Sequence, residues 1–220
     1  MHSCAIRAVL RSSRLSVQVK GEVLMPIRAP AVVGLDTPRL RLAPADASDT
    51  LEVFDLLWRN HEHFARWNPV IAREALSAES VLDLLASEAG AWQLGEVFRL
   101  WIRLHEAPYT LIGWLKVDGL TAGAFHSGRL SYAIDEAHQR RGYMKEALGV
   151  AIDFFFSPKV HLHRLQASVL QDNEASIRVL RASGFEDIGV ARAYLRVGGR
   201  WRDHLLMQRI NSVWRPESAD

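Results

Sequence analysis

The fold is decided by residues 130–148, which run LSYAIDEAHQRRGYMKEAL. The stretch begins with Leu130, Tyr132 and Ile134 alternating with smaller residues, as in a short strand, and then changes to apolar residues at helical spacing. A polar, basic turn that contains Gly142 separates the two patterns. Backbone N–H groups at a helix start have no intrahelical partner, and the helix dipole adds positive potential there. The stretch therefore predicts a cradle for phosphate between a strand and a helix.

The composition is that of one folded domain. The chain has 220 residues, 49% of them hydrophobic and 24% charged, enough for one sizeable core and few for two full domains. No apolar run approaches the ~20 residues that span a bilayer, so membrane insertion is not expected. The single cysteine, Cys4, cannot form an intrachain disulfide, which suits a reducing, cytoplasmic setting.

Basic charge is concentrated at the beginning of the chain. Residues 1–34 have five basic residues and one acid, a local charge of +4, so the total of +2 leaves −2 for the remainder. The domain itself is therefore not a basic nucleic-acid binder. We expect 1–34 to be a flexible basic extension, 35–216 the folded domain and 217–220 a tail. The extension also fits transit-peptide composition, an over-long reading frame that should start at Met25, or an arm that contacts RNA.

Periodicity and turn residues predict alternating strands and helices, which is an α/β architecture with hairpins at the sheet edges. Asp46, Ser77 and Asn173 are residue types that cap helix starts. The pair Gly198-Gly199 predicts a tight turn between the last two strands. The predicted strands are 39–43, 97–104, 109–117, 130–134, 164–170, 186–197 and 200–210, with a turn at 106–108. The predicted helical segments are 47–59, 62–67, 77–94, 144–151 and 173–184.

Two motifs resemble those of the GNAT superfamily of N-acetyltransferases. The sequence Q-R-R-G-Y-M at 139–144 resembles its acyl-CoA pyrophosphate loop, Q/R-x-x-G-x-G/A, although Met144 stands where a small residue is usual. Further along, N-E-A-S-I-R-V-L at 173–180 and S-G-F at 183–185 resemble a second signature of the same superfamily. The two motifs occur in the order and at the distance that the superfamily shows.

The remaining similarity is to one branch of that superfamily. Segments 60–64, 67–69, 125–128 and 198–204 are similar to the bacterial ribosomal-protein-alanine N-acetyltransferases (RimJ/RimL-like), above all those that act on the N-terminal alanine of small-subunit protein S5. The resemblance covers residues 37–216. It implies an acyltransferase that uses acetyl-CoA without a metal and whose partner is a protein N-terminus, possibly on a ribosomal protein.

The resemblance also implies a fold and a cofactor site. The fold would be one GNAT-type domain with a mixed central sheet of about six to seven strands, helices on both faces, and a splay between two parallel central strands. Pantetheine amides would pair with the exposed edge of the first splayed strand. Asn173 and Ser176 could instead only cap their helix. The implied cofactor-binding residues are Ala133, Ile134, Gln139, Arg140, Arg141, Gly142, Tyr143, Met144, Lys145, Asn173 and Ser176.

Acetyl transfer needs a neutral amine, a stabilised oxyanion and a proton for the departing thiolate. By resemblance Ser176 is the first candidate for the acid and Tyr194 the second. The oxyanion donor is expected to be a backbone N–H near Ala133 or Ile134. An α-amine with a pKa of about 8 is roughly a tenth neutral at pH 7, whereas a lysine near 10.4 is neutral on the order of 0.05% of the time, so an N-terminal amine needs only a modest base.

The acceptor side is expected at residues 60–69 and at the C-terminal hairpin. His61, Glu62 and His63 are candidate bases, and Trp67 is a candidate contact for the acceptor. Asp203 would attract a cationic amine, and Trp201 is either a core residue of an edge strand or a wall of the cleft. The His-x-His pairs at 61/63 and 161/163 lack a third ligand at convincing spacing, so no metal is predicted.

Two other functions agree with the same residues. The acceptor could be a small amine such as a polyamine or an aminoglycoside, and an acidic cleft would favour that hypothesis. The domain could also be a non-catalytic acyl-CoA or RNA-associated binding module. The sequence leaves the oligomeric state open between monomer and homodimer.

Overall fold

The computed structural model describes the backbone of three strands in residues 7–24 and, with side chains, residue 27 and residues 29–31, 34–69 and 71–215. Predictions about Cys4, Met25 and the tail 217–220 lie outside the described residues. The helices are α1 Thr50–Arg59, α2 His61–Ala65, α3 Ala78–Leu94, α4 Tyr143–Phe156 and α5 Glu174–Ala182. The strands are β1 Arg7–Arg11, β2 Arg14–Val19, β3 Glu22–Leu24, β4 Leu35–Asp36, β5 Leu40–Ala43, β6 Phe98–Leu104, β7 Ala107–Thr121, β8 Ser127–Ile134, β9 Arg164–Leu170, β10 Glu186–Val197 and β11 Arg200–Ile210.

The main sheet has eight strands in the order β10-β11-β9-β8-β7-β6-β5-β4. All neighbours are antiparallel except β8 and β9, which are parallel. The α/β class of a mixed sheet is confirmed, and the short edge strand β4 adds one strand to the number expected. Strands β1, β2 and β3 form a separate antiparallel sheet.

Helices cover both faces of the main sheet, as predicted. Alternate residues of a strand point to opposite faces, so neighbours on β6 belong to different cores. Leu100 and Ile102 pack in the larger cluster with α4, whereas Trp101 packs in a second cluster with residues of α1 and α3. The sheet is therefore a central layer between two helical layers, and its splay opens to both.

Local sequence chemistry accounts for most element ends. Ser77 and Ser80 form a reciprocal capping box at the start of α3. Asn173 accepts a hydrogen bond from the N–H of Ser176 at the start of α5. Gly198 and Gly199 have φ angles of 58° and 77°, which the tight turn between β10 and β11 requires.

Several predicted boundaries differ from the structure, and two of the differences have a clear local cause. Asp46 caps a 3-10 turn at Ala47–Asp49, and α1 starts only at Thr50. The turn between β6 and β7 lies at residues 105–106, because Leu104 pairs directly with Ala107. Pro108 falls in the irregular part of β7 that follows, where its missing N–H costs no ladder hydrogen bond.

The interpretation of Trp201 as a core residue of an edge strand is wrong. Strand β11 lies between β10 and β9, and β10 forms the edge. The pairing of β9 with β11 begins only at His204, so Trp201 lies in the part of the hairpin that extends beyond the core. It is 65% exposed, and so it does not bury its indole.

The described residues that precede β4 contact the domain. Ile27 packs against the larger core, and the carbonyl of Pro30 accepts a hydrogen bond of 2.9 Å from the indole N–H of Trp92. Residues on the N-terminal side of the domain boundary predicted near residue 35 therefore also contact the domain. Among the described residues, no helix is long and apolar enough to cross a membrane.

Candidate active site

The cleft begins where β8 and β9 separate. The two strands pair only at Ser127–Arg129 of β8 with Arg164–Gln166 of β9. Beyond these three pairs both strands line a cleft of about 960 Å³. Because β9 no longer pairs with β8 there, the facing edge of β8 is available to an extended ligand.

The direction of each N–H on β8 follows from its pairing with β7. The N–H of Asp135 donates to the carbonyl of Ile112 on β7 at 2.7 Å. Successive N–H groups of a strand alternate in direction, so the N–H of Ala133 also points to β7, whereas the N–H groups of Ile134 and Tyr132 point into the cleft. Of the two sites expected for an oxyanion donor, only Ile134 thus directs its N–H at the gap.

The predicted phosphate loop leads into α4 in a conformation that depends on Gly142. Gly142 has φ +80° and precedes the helix without any side-chain cap on the first-turn N–H groups. Arg140 is also left-handed, with φ +60°. Met144, which departs from the motif, is 7% exposed and packs in the larger core, while it also contributes to the cleft wall. The geometry fits a pyrophosphate held by backbone amides.

Most predicted cofactor-binding residues line this cleft. Arg141 does not line the cleft, and its carbonyl accepts a hydrogen bond from Arg39, the residue that precedes β5. The cleft-lining members of the predicted set are Ala133, Ile134, Gln139, Arg140, Gly142, Tyr143, Met144, Lys145, Asn173 and Ser176.

Arg39 and Glu146 hold the loop from behind. The Glu146 carboxylate accepts hydrogen bonds from the Thr37 hydroxyl at 2.6 Å and from Arg39 Nε at 2.7 Å. Slight burial alone would raise the pKa of Glu146, but these hydrogen bonds and the nearby guanidinium lower the pKa below its usual value. The Arg39 guanidinium also lies 4.5 Å from the ring centroid of Tyr143. Neither residue was a predicted site residue, because Arg39 and Glu146 are 107 positions apart in the sequence and meet only in the folded chain.

Ser176 is hydrogen-bonded to a residue that the sequence did not identify as catalytic. The Ser176 hydroxyl lies 2.7 Å from the Tyr132 hydroxyl, across the cleft between α5 and β8. Burial raises the pKa of the Tyr132 phenol, and the Ser176 hydrogen bond only partly opposes that shift. Both groups therefore stay protonated at neutral pH. Tyr194 also lines the cleft, but it is 38% exposed and its ring lies 5.8 Å from that of His204.

A buried polar network anchors the end of β8. Asp135 is 4% exposed and accepts hydrogen bonds from Arg59 Nε at 3.1 Å and Arg59 Nη2 at 2.9 Å. Burial would raise the pKa of Asp135, but the hydrogen bonds from Arg59 and from the N–H of Ala137 lower it overall. Asp135 Oδ2 also lies 3.2 Å from His138 Nδ1. Because a carboxylate can only accept, Nδ1 carries the proton of the neutral imidazole and Nε2 is left as the acceptor. His138 also lines the cleft.

The predicted acceptor segment is divided between cleft and surface. His61, His63 and Trp67 line the cleft, whereas Glu62 does not and has an 84% exposed side chain near Arg73. His61 Nε2 lies 2.9 Å from the carbonyl of Ile71, which can only accept, so His61 Nδ1 remains free to take a proton.

Asp203 is not placed as expected. It does not line the cleft, and its Oδ1 accepts a hydrogen bond of 2.8 Å from the N–H of Ala193. Ala193 has φ +46° and lies in an irregularity of β10, where residues 192–194 oppose Asp203 alone. The carboxylate thus supports a bulge, and Trp201 lies beside it in a separate shallow pocket of about 430 Å³.

The other end of the cleft is formed by the sheet face that carries α1 and α3. Trp114 and Lys116 on β7 lie beside Ala133 and Ser131 on β8. Asp118 lies between two cations, 2.6 Å from Lys116 Nζ and 3.2 Å from Arg129 Nη2. Apart from Ala133, none of these residues was a predicted site residue, since each looks like an ordinary strand residue in the sequence.

The cleft as a whole is basic. Among the described residues that line it, seven are basic and two, Asp118 and Glu136, are acidic. The basic residues are Arg66, Arg99, Lys116, Arg129, Arg140, Lys145 and Arg178. No three His, Cys, Asp or Glu side chains of the described part of the chain come together as possible metal ligands.

Comparison with known proteins assigns the class. A model of the acetyltransferase (GNAT) domain matches residues 39–186, more than half of the chain. The chain therefore belongs to the GNAT acetyltransferase family and is an acyltransferase. The resemblance seen in the motifs is confirmed.

Similar proteins include ribosomal-protein acetyltransferases. The chain is 27% identical to the probable N-acetyltransferase YjcK of Bacillus subtilis over 76% of this chain and 92% of that protein. It is 36% identical to the ribosomal protein uS5-alanine N-acetyltransferase of Escherichia coli over 48% of this chain and 54% of that enzyme.

Two solved structures share the fold over most of their length. The ribosomal-protein-S5-alanine acetyltransferase of Vibrio fischeri superposes with a TM-score of 0.78 at 29% identity, covering 84% of this chain and 100% of that one. Mycobacterium smegmatis RimJ, solved in complex with CoA-disulfide, superposes with a TM-score of 0.72 at 26% identity, covering 87% and 88%.

Proposed function

We propose that this enzyme transfers an acetyl group from acetyl-CoA to the α-amine of a protein N-terminus, of the kind found on ribosomal proteins. The observation that carries the proposal is the basic cleft, whose lining includes both the splayed strands β8 and β9 and residues on the α1 and α3 face of the sheet. The relatives named for ribosomal-protein acetylation support the same acceptor class.

The cofactor end fits acetyl-CoA. The loop at Gly142 offers free amides to the pyrophosphate, and Lys145 adds a positive charge at the helix start. The N–H of Ile134, nearer the loop, would pair with a pantetheine amide, and the N–H of Tyr132, further into the cleft, would pair with the thioester carbonyl oxygen. When bound, acetyl-CoA supplies the activated acetyl group, and this chain's residues hold it and manage charge and protons.

The reaction needs a C–N bond to form and a C–S bond to break. The N–H of Tyr132, which points into the cleft beside the Ser176 and Tyr132 hydroxyls, would stabilise the negative charge that develops on the carbonyl oxygen during attack by the amine. The hydrogen-bonded Ser176 and Tyr132 hydroxyls would donate a proton to the departing thiolate. The amine loses its extra proton to a base or to water, and His61, His63 and His138 line the cleft as candidates.

A polycationic acceptor fits the cleft poorly. On the face of the cleft that carries α1 and α3, Lys116 and Arg129 share one carboxylate, Asp118, so a polyamine or an aminoglycoside would meet a net charge of +1 there. A peptide N-terminus carries one positive charge, and an α-amine with a pKa of about 8 sheds it more readily than a primary alkyl amine near 10.4. The electrostatics thus favour the N-terminal acceptor over the small amine.

The test is thiol release from acetyl-CoA with a panel of acceptors. Peptides that begin with Ala, Ser or Met are compared with spermidine and an aminoglycoside, and the acetylated product is located by mass spectrometry. We expect turnover with the peptides and acetylation at the α-amine. Turnover confined to the small amines, or none with any amine, would overturn the proposal.

A further inference from the structure

One buried hydrogen-bond donor on the cleft wall, the Trp114 indole N–H, has no acceptor among the described residues. Trp114 is 8% exposed, and its indole N–H has no partner among the described residues although the residue lines the cleft. A buried N–H group without an acceptor destabilises the folded protein, because the group has lost its hydrogen bonds to water and has gained none in return. A ligand that carries an oxygen acceptor would remove that cost.

Positive charge accompanies this donor. Lys116 and Arg129 share one carboxylate, Asp118, so the three side chains carry a net charge of +1. Arg99 lies beside them, paired across the strands with Lys116, and its own charge is matched by Glu88 at 2.9 Å. The side chains of Lys116 and Asp118 are only 25% and 24% exposed, which limits screening by solvent.

The pairing of β7 with β8 fixes how far Lys116 lies from the reacting centre. Trp114 is the cross-strand partner of Ala133, which is next to Tyr132, whose N–H would face the thioester. Lys116 lies two residues further along β7, about 7 Å away. An extended acceptor chain advances roughly 3.3–3.6 Å per residue, so its second or third residue would reach Lys116.

We propose that Trp114 and Lys116 select the acceptor, and that the preferred acceptor is a peptide with an acidic side chain at its second or third position. The carboxylate would pair with Lys116, and a backbone carbonyl of the first residues would accept from the Trp114 indole. This inference rests on the proposed function, because it specifies which N-termini the enzyme acetylates.

The test uses three peptides that begin with Ala and differ only at positions 2 and 3, which are Glu-Glu, Gln-Gln or Lys-Lys. For the wild type we expect kcat/KM to fall in that order, with roughly tenfold between the Glu and Lys peptides, as for a partly buried charge pair. The preference should weaken as salt is raised.

Matched variants assign the preference to its residues. Lys116→Gln should bring the Glu and Gln peptides within about twofold of each other, and Lys116→Arg should restore the preference, because only charge is needed. Lys159→Gln, an exposed lysine outside the cleft, should behave as wild type.

Trp114→Phe keeps an aromatic ring without the N–H and should lower kcat/KM for all three peptides by a similar factor.

The outcomes separate the two proposals. Peptides acetylated at equal rates whatever their charge, or a Glu preference that survives Lys116→Gln, would overturn the acidic-acceptor inference and leave N-terminal acetylation standing. Acetylation of small amines with none of the peptides would overturn the proposed function itself. An unchanged KM for acetyl-CoA in each variant is the expected sign that the cofactor end is intact.

Discussion

At the scale of single residues, the Tyr132–Ser176 hydrogen bond is the contact that matters most for the proposed chemistry. It joins β8 to α5 at 2.7 Å on the cleft wall. The raised pKa of Tyr132 keeps its proton in place at neutral pH, so the pair can supply one to a thiolate. Either hydroxyl can donate the hydrogen bond to the other, so the geometry does not define which of the two passes its proton to the thiolate.

We expect Ser176→Ala and Tyr132→Phe each to lower kcat by about 10- to 100-fold, the usual contribution of a general acid. Because the two hydroxyls act as one unit, the double variant should be little slower than either single variant. Steady-state thiol release with a saturating peptide measures the effect.

Tyr194→Phe is the control for this pair. Its hydroxyl lines the same cleft but lies on an exposed strand, so we expect less than a threefold change in kcat. A large loss in Tyr194→Phe together with wild-type activity in Ser176→Ala would assign the acid to Tyr194.

At the scale of elements, the start of α4 determines how the cofactor is held. Gly142 adopts φ +80°, where a side chain is strained, and a Cβ there would meet only Arg39 Nη2, at 3.5 Å. The requirement for glycine thus comes from backbone conformation and from the approach of a ligand, and crowding by the protein contributes little.

Gly142→Ala should therefore raise KM for acetyl-CoA by roughly three- to tenfold, with strain of about 1 kcal/mol, while kcat at saturation changes less than twofold. Product formation at varied acetyl-CoA gives both constants. An unchanged KM accompanied by a lower melting temperature would show that the loop has only a structural role.

Gly149→Ala is the matched control on the same helix. Gly149 is exposed within α4, and nothing lies within 4 Å of an added Cβ. The substitution should stabilise the protein by about 0.5–1 kcal/mol through helix propensity and leave KM for acetyl-CoA unchanged.

At the scale of the whole molecule, Asp135 connects parts of the chain that are distant in sequence. Arg59 at the end of α1 binds the Asp135 carboxylate at the end of β8 and the Leu111 carbonyl on β7, at 2.6 Å. Asn60 accepts a hydrogen bond from the N–H of Glu136 at 2.9 Å. The helical layer on one face is thereby tied to the strand that bounds the cleft.

The lowered pKa of Asp135 predicts the pH dependence of stability. A carboxyl whose pKa is lower in the folded than in the unfolded state contributes stability that is present above the unfolded value of about 3.9 and is lost as pH falls through the folded value. We expect Asp135→Asn to reduce the free energy of unfolding at pH 7 by about 1–3 kcal/mol, because Arg59 loses a charged partner.

Urea unfolding between pH 7 and pH 3 measures this contribution. The difference between wild type and Asp135→Asn should begin to shrink as pH falls below about 4, where the carboxyl of the unfolded chain takes up its proton while the folded chain still holds the carboxylate, and it should vanish only below the lowered folded-state pKa. A difference that is constant with pH would mean that packing or neutral hydrogen bonding is responsible. Asp153→Asn, an exposed acid on α4, serves as the reference.

Local patterns predicted the elements because their causes are local. Strands β9, β10 and β11 have the predicted bounds, since alternation and the Gly198-Gly199 turn depend on neighbours in sequence. The turn after β6 was misplaced because a register irregularity depends on the pairing strand. Trp201 was misassigned because burial depends on where the hairpin extends relative to β9.

The sequence by itself determined the family, the order of strands and helices from β5 onward, and the loop with Gly142, because those features are encoded in contiguous motifs. Only the tertiary structure decided that Tyr132 meets Ser176, that Ile134 rather than Ala133 turns its N–H to the cleft, and that Lys116 and Arg129 share Asp118 there. The physical reason is that hydrogen bonds and charges act over a few ångströms in space. Residues such as Arg39 and Glu146, 107 positions apart, come within that range only when the sheet forms.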